Sequence, residues 1–182
     1  MSETTQRIPC YEPGGGLAES DQALADMSKM FNGRIPNFHK VLANSPAAVT
    51  AFEAMRRTLQ RTKLRAAERE IISLEVSRRN ACEYCLAAHA KFLRMMKTPE
   101  DQIEAAVSGT PMSNPRHALI QRVAQRLIDS QGRITDQELQ DFREAGLSDG
   151  ELIEIVAIIG WYTQATITNN LARTVVDPFW TE

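Results

Sequence analysis

Signals that open a helix recur along the whole chain, and nothing between them reads as a strand. Ser45 before Pro46, Thr98 before Pro99 and Asn114 before Pro115 each set a capping side chain ahead of a proline that suits the first helical turn. Thr135 with Glu138, and Ser148 with Glu151, have the spacing of a capping box. No alternating apolar–polar stretch is bounded by turn residues, as a strand would require. The expectation is an all-α, single-domain helical bundle of about seven to nine helices, an order-of-magnitude count from these start and stop signals. Ser20 opens a first helix that Asn32-Gly33 ends near Phe31, and Ile35-Pro36 restarts the chain. Helices then follow from Ser45 to about Arg61 and from about Ala66 to Arg78. Asn80, with Glu83 three residues on, reads as the cap of a helix running to about Met96. Gly146 stops the helix begun at Thr135, and the last helix ends before Pro178. Residues 1–16, with Pro9, Pro13 and three consecutive glycines, read as an extended arm ahead of a helical domain at 17–182.

Composition narrows the function classes. The chain has 182 residues, 43% hydrophobic and 24% charged, with a net charge of −2. That is ordinary for a soluble globular protein with one core, and it argues against nucleic-acid binding. The basic clusters, Arg56-Arg57 to Arg65 and Arg78-Arg79, are interspersed with acids and read as solvated helix faces. The strongest apolar run, Leu152 to Ile167, contains Glu154 and Gln164 and is short for a membrane span, so it reads as a buried core helix. The N-terminus lacks the apolar stretch of a signal peptide. Three cysteines, two of them in one C-x-x-C, do not make a secreted disulfide framework, and a cytoplasmic, reducing compartment is the expectation.

The chemistry concentrates at Cys82-Glu83-Tyr84-Cys85 and His89, with Glu70 twelve residues before Cys82. Two cysteines three apart can cycle between dithiol and disulfide, and a histidine and a carboxylate can move the proton that decides thiol from thiolate. With Asn80 as cap, Cys82 sits near unpaired N–H groups at a helix start, where the dipole favours its thiolate. Cys82, Cys85 and His89 then share one narrow stripe, and the spacing lets Glu70 meet His89 if its helix folds back. Three other readings stay open: buried core thiols, a satisfied core histidine at His89, and a zinc site on Cys82, Cys85 and His89 that lacks an obvious fourth ligand. His39 and His117 have no partner spacing and read as structural. Glu154, Gln164, Thr168, Asn169 and Asn170 read as inter-helix hydrogen-bonding positions, and Trp161, Tyr162 and Phe179-Trp180 as residues that could pack on another subunit.

The segment "EREIISLEVSRRNACEYCLAAH" resembles the alkylhydroperoxidase D-like group of the carboxymuconolactone decarboxylase superfamily. The likeness extends through "RIPNFHKVLANSPAA" and "GRITDQELQDFREAGLSDGELIEIVAIIG", from about Ile35 to Asp177. It implies an all-helical bundle assembled as trimers or hexamers, with peroxidase or disulfide-reductase activity. By position it makes Cys85 the attacking thiol, Cys82 the resolving one, and His89 and Glu70 a proton relay. Tyr84 stands where the best-known members carry histidine. It is either a relay member or a structural tyrosine, and it weakens the link to the antioxidant enzyme itself. The resemblance and the helix-start argument differ on which sulfur is the more acidic.

The function expected is a thiol-dependent peroxidase or disulfide oxidoreductase. It takes a peroxide or small organic substrate, uses an external dithiol or protein reductant, and needs no cofactor, metal or membrane. The alternatives are an acid/base lyase of the decarboxylase type, which needs no cysteine pair, and a non-catalytic redox-sensing dithiol.

Overall fold

The computed structural model describes residues 6–182. Its helices are α1 (Ala18–Met30), α2 (Asn37–Leu42), α3 (Pro46–Leu59), α4 (Ala66–Arg79), α5 (Glu83–Met95), α6 (Glu100–Ser108), α7 (Pro115–Ser130), α8 (Asp136–Glu144) and α9 (Asp149–Ala172). A turn of 3-10 helix, Pro178–Trp180, closes the chain. No strand occurs among the described residues.

Several helix starts form as their residue types dictate. The Ser45 side chain accepts from Ala48 N, and Asn114 Oδ1 accepts from the backbones of Arg116 and His117. Capping boxes form at Thr135–Glu138 and Ser148–Glu151. Ser20 differs from expectation. It lies inside α1, which starts after Leu17, and its hydroxyl is buried and donates to Ala43 O at 2.7 Å. A polar side chain drawn to a carbonyl on α2's far end no longer serves its own helix start.

α4 is the centre of the bundle, packed by α5, α6, α7 and α9. Its interior face is apolar (Ile71, Ile72, Leu74, Val76), but it also buries two carboxylates. Glu75 is fully buried and is satisfied by Arg78, Arg79 and Gln125. Glu68 takes the Arg116 guanidinium at 3.0 Å and the Arg65 backbone at 2.8 Å. Paired in this way, neither leaves an uncompensated buried charge. The Arg78-Arg79 cluster is thus committed to Glu75 and Asp129.

α9 departs from the expectation of a wholly buried helix. Leu152, Ile155, Ile158, Trp161, Tyr162 and Ala165 face the core, while Ile153, Val156, Ile167 and Leu171 are exposed on another stripe. Apolar residues around the whole circumference give a helix two faces to bury, and one chain covers one of them. Of the arm read at residues 1–16, residues 1–5 lie outside the described residues. Residues 6–16 carry no helix and are tied down by Arg7 N to Ala172 O (2.7 Å) and Tyr11 N to Lys40 O (2.9 Å).

Candidate active site

The α4–α5 corner builds the site. α4 ends with Asn80 as its C-cap residue and Ala81 in the left-handed region (φ 48°). Ala81 N bonds Arg78 O, and Cys82 N bonds Ser77 O at 2.9 Å. These two bonds form a Schellman ending. It turns the chain so sharply that Cys82, not Asn80, caps α5. Asn80 instead braces α9: its amide donates to Thr166 Oγ1 (2.8 Å), and its carbonyl accepts from Asn170 (2.6 Å). Asparagine serves either end of a helix, which is why its residue type alone points the wrong way here.

Cys82 Sγ accepts from Cys85 N at 3.4 Å, and the two sulfurs are 2.7 Å apart as free thiols. The pair shares its protons, so its acidity belongs to both. The hydrogen bond from Cys85 holds Cys82 below its ordinary value, against burial and aided by the α5 backbone. The same contact with Cys82, together with burial, pushes the Cys85 thiol up. Cys82 is thus the more acidic sulfur, chiefly through its contact with the Cys85 thiol, and it is the cap itself and not the second helical residue that the helix-start argument assumed. Access runs the other way. Cys85 lines a cavity of about 380 Å³, whereas Cys82 is fully buried behind it.

His89, one turn after Cys85, meets Glu70 across the α4–α5 interface, Nδ1 to Oε2 at 2.6 Å. The carboxylate fixes the tautomer with Nδ1–H facing Glu70, which leaves Nε2 as the free nitrogen. Tyr162 stands edge-on to the imidazole, ring centres 4.6 Å apart. Both His89 and Glu70 line the cavity.

Tyr84 is locked in place. Its hydroxyl donates to Asp177 Oδ2 at 2.6 Å and accepts from Phe38 N and Trp180 Nε1, both at 3.2 Å. One donation and two acceptances exhaust a phenol. Burial and the Asp177 charge push its acidity well out of the neutral range. This pins the C-terminal turn over α2 and α5. Trp161, Tyr162 and Trp180, read from sequence as possible subunit contacts, are buried inside the chain as cavity wall.

Two further polar side chains outside the sequence cluster reach the same region. Asn169, on α9, donates its amide to Cys85 Sγ at 3.3 Å. His39, on α2, is buried and lies 3.2 Å from Glu53 on α3, and it lines the same cavity as Cys85 and His89. Asn169 was legible only as a polar position in an apolar helix. His39 gave no signal, because its partner lies fourteen residues away across a break. Among the described residues no group of three or more His, Cys, Asp and Glu side chains gathers to hold a metal, and no helix is long and apolar enough to cross a membrane.

The helical bundle thus presents a C-x-x-C pair and a histidine–carboxylate pair beside one aromatic-lined cavity. Residues 46–113 match the sequence profile of the Carboxymuconolactone decarboxylase family. No curated protein is significantly similar in sequence. Solved structures share the fold over nearly the whole chain. An alkylhydroperoxidase AhpD core, a peroxidase-related protein from Ralstonia eutropha JMP134, aligns with a TM-score of 0.85 at 21% identity, covering 98% of this chain and 96% of its own. A peroxidase-related protein from Silicibacter sp. TM1040 aligns with 0.80 at 20% identity, covering 99% and 96%. A cysteine-to-alanine variant of the debrominase Bmp8, in complex with 2,3,4-tribromopyrrole, aligns with 0.78 at 14% identity, covering 99% and 96%. The family's profile thus matches the segment that carries the C-x-x-C, and the fold of nearly the whole chain is shared with these solved structures.

Proposed function

We propose that the protein is a thiol-dependent peroxidase or disulfide oxidoreductase whose working groups are Cys85, Cys82, His89 and Glu70. The observation that carries the reading is the 2.7 Å contact between the two sulfurs at a cavity wall, beside a His89–Glu70 pair bonded at 2.6 Å.

His89 Nε2 takes the proton of Cys85, while Glu70 holds the ring and stabilises its charged form. The Cys85 thiolate attacks a peroxide ROOH. An S–O bond forms, the O–O bond breaks, and the departing alkoxide takes the proton from His89 to leave as ROH. Cys85 is then a sulfenic acid. Cys82 attacks its sulfur; the S–S bond forms, the S–O bond breaks, and hydroxide leaves with the Cys82 proton as water. The balance is ROOH plus two thiols to ROH, water and one disulfide. An external dithiol or protein reductant restores the pair by exchange. Tyr84 is assigned a structural role, because its hydroxyl is already committed to Asp177, Phe38 and Trp180. The exposed apolar stripe of α9 (Ile153, Val156, Ile167, Leu171) is the face on which a homotrimer or hexamer would assemble in this reading, and sedimentation tests it.

An intact-mass thiol count tests the chemistry. The reduced protein carries three cysteines, and one equivalent of hydrogen peroxide or cumene hydroperoxide should remove two alkylatable thiols, which a dithiol restores. If Cys82 and Cys85 stay reduced and alkylate only after unfolding, the reading fails. An acid/base lyase built on Glu70 and His89 would then be the function to pursue. Fast disulfide formation with slow peroxide turnover would instead mark a redox sensor.

A further inference from the structure

The cavity beside the dithiol is larger than hydrogen peroxide needs. A water's share of liquid volume is about 30 Å³, whereas this cavity measures about 380 Å³. That lies within the range of sites that enclose small organic ligands. Much of its wall is an aromatic collar. From His39 one arc runs through Phe52, Trp161 and Tyr162 to His89, and the other returns through Phe92 and Phe31, with neighbouring ring centres 4.4–6.5 Å apart. Met30, Met95 and Met96 also line it and are exposed. Rings and flexible thioethers suit the apolar body of an organic substrate.

The same wall carries one charge that no side chain answers. The half-buried arginines among the described residues are Arg56, Arg69, Arg78, Arg79, Arg116 and Arg126. Five of them pair with carboxylates: Arg56 with Glu53, Arg78 and Arg79 with Glu75, Arg116 with Glu68 and Glu151, and Arg126 with Glu138. Arg69 is the exception. Its Nη1 donates to two neutral oxygens, Leu64 O at 2.5 Å and Thr62 Oγ1 at 3.5 Å. Its Nε and Nη2 have no hydrogen-bond partner among the described residues, yet neither is closed off from solvent. That Nε–Nη2 edge is the one with which Arg79 grips Asp129 and Arg126 grips Glu138. The carboxylate next to it in sequence, Glu70, is committed to His89. Arg69 lines the cavity together with Cys85 and His89. Tyr162 senses both: burial, with the Glu70 and Cys85 charges, pushes its phenol well up, while the Ser73 hydrogen bond and the Arg69 charge pull it back. A half-buried guanidinium with a free fork and no counter-charge marks a place for an anion.

We propose that the cavity takes an organic molecule bearing a carboxylate, and that Arg69 is the residue that binds the anion. The inference rests on the thiol-peroxidase reading for its chemistry, and under it the substrate is a carboxylated organic hydroperoxide. The apolar body lies within the collar, the carboxylate accepts from Arg69 Nε and Nη2, and the peroxide is carried to Cys85. The bonds made and broken are those of the mechanism above: ROOH and two thiols give ROH, water and one disulfide, and the carboxylate stays on R throughout. Arg69 touches no reacting atom and determines specificity alone.

Two measurements on the full-length protein test this. The first compares the rate constants for oxidation of the dithiol by 4-carboxycumene hydroperoxide and by its methyl ester, which differ in charge. The second needs no turnover: calorimetric binding of 4-isopropylbenzoate and its methyl ester to the reduced protein. The wild type should prefer the carboxylate by about ten- to hundredfold in both, the weight of hydrogen bonding to a charged group. Arg69→Gln should erase the preference, and Arg69→Lys should keep part of it. Arg69 also braces Thr62 and Leu64, but a merely structural role would weaken acid and ester alike and leave their ratio unchanged. Equal affinity of the wild type for acid and ester, binding of neither, or a preference that survives Arg69→Gln would each overturn the proposal. A thiol pair inert to both peroxides, with a binding preference that Arg69→Gln removes, would support the carboxylate site and reject the peroxidase reading alone.

Discussion

The two histidine–carboxylate pairs at the cavity reach similar chemistry by different routes. His89 and Glu70 sit on α5 and α4, neighbours joined by the Schellman turn at Ala81, and their bond is 2.6 Å. His39 and Glu53 sit on α2 and α3, beyond the dithiol corner, and approach only to 3.2 Å without alignment. The first pair is hydrogen-bonded and leaves His89 Nε2 free, as the proposed proton transfer requires. The second is buried and unaligned, and neither His39 ring nitrogen has a hydrogen-bond partner among the described residues. A histidine beside a carboxylate is therefore not one functional signal. Only the aligned pair has the geometry that the proposed proton transfer requires.

Substitutions can break or sharpen that contrast, and the largest effects belong to the dithiol side. Cys85→Ser should abolish peroxide consumption while leaving the fold intact, as a coupled peroxidase assay would show. His89→Gln should slow oxidation of the pair by about 10²- to 10⁴-fold, the usual weight of a positioned acid/base group. Stopped-flow tryptophan fluorescence can follow it, because Trp161 and Trp180 both line the cavity. Equal losses in His89→Gln and His39→Gln with hydrogen peroxide would erase the distinction between the pairs.

Stability effects come next. Tyr84→Phe should cost about 1–3 kcal/mol by thermal melting, since it strips Asp177 and Trp180 of a buried partner. Its rate of oxidation by hydrogen peroxide should stay close to wild type, and a collapse of that rate would restore Tyr84 to a relay role. Glu53 provides a pH signature. Burial, the largest influence, pushes its carboxyl up, but His39 and Arg56 together hold it below the ordinary value of 4.5. A depressed carboxyl adds stability above its unfolded value and loses it as pH falls through the folded one. Wild type should thus lose melting temperature below about pH 4.5, and Glu53→Gln should lack that part of the acid limb. The smallest effect is expected from Ala81→Gly. It relieves a left-handed alanine at the α4–α5 turn and should add about 1 kcal/mol of stability.

Much of the fold was legible because helix ends carry local chemistry. Ser45, Asn114, Thr135 with Glu138, and Ser148 with Glu151 cap as their spacing predicts. The cap at Asn80 was misread because the Schellman turn depends on a left-handed residue, and Ala81 does not advertise that conformation. Ser20 was misread because a distant carbonyl, Ala43 O, won its hydroxyl. Within the site, the grouping of Cys82, Cys85, His89 and Glu70 followed from residues on adjacent helices. The aromatic collar and the His39–Glu53 pair did not, because they draw on the loop after α1 and on α2, α3, α5 and α9, and no sequence period links those segments. The outward apolar stripe of α9 was hidden for a related reason: a helix apolar on all sides does not say which side its own chain covers.

The central claim is that the cavity-facing sulfur, Cys85, meets the oxidant, although Cys82 is the more acidic of the two. The direct measurement is dimedone trapping after one equivalent of cumene hydroperoxide, with peptide mapping of Cys82→Ser and Cys85→Ser. The account predicts a sulfenic acid adduct on Cys85 in Cys82→Ser and none on Cys82 in Cys85→Ser. An adduct on Cys82 in Cys85→Ser, with Cys85 unmodified in the other variant, would contradict it.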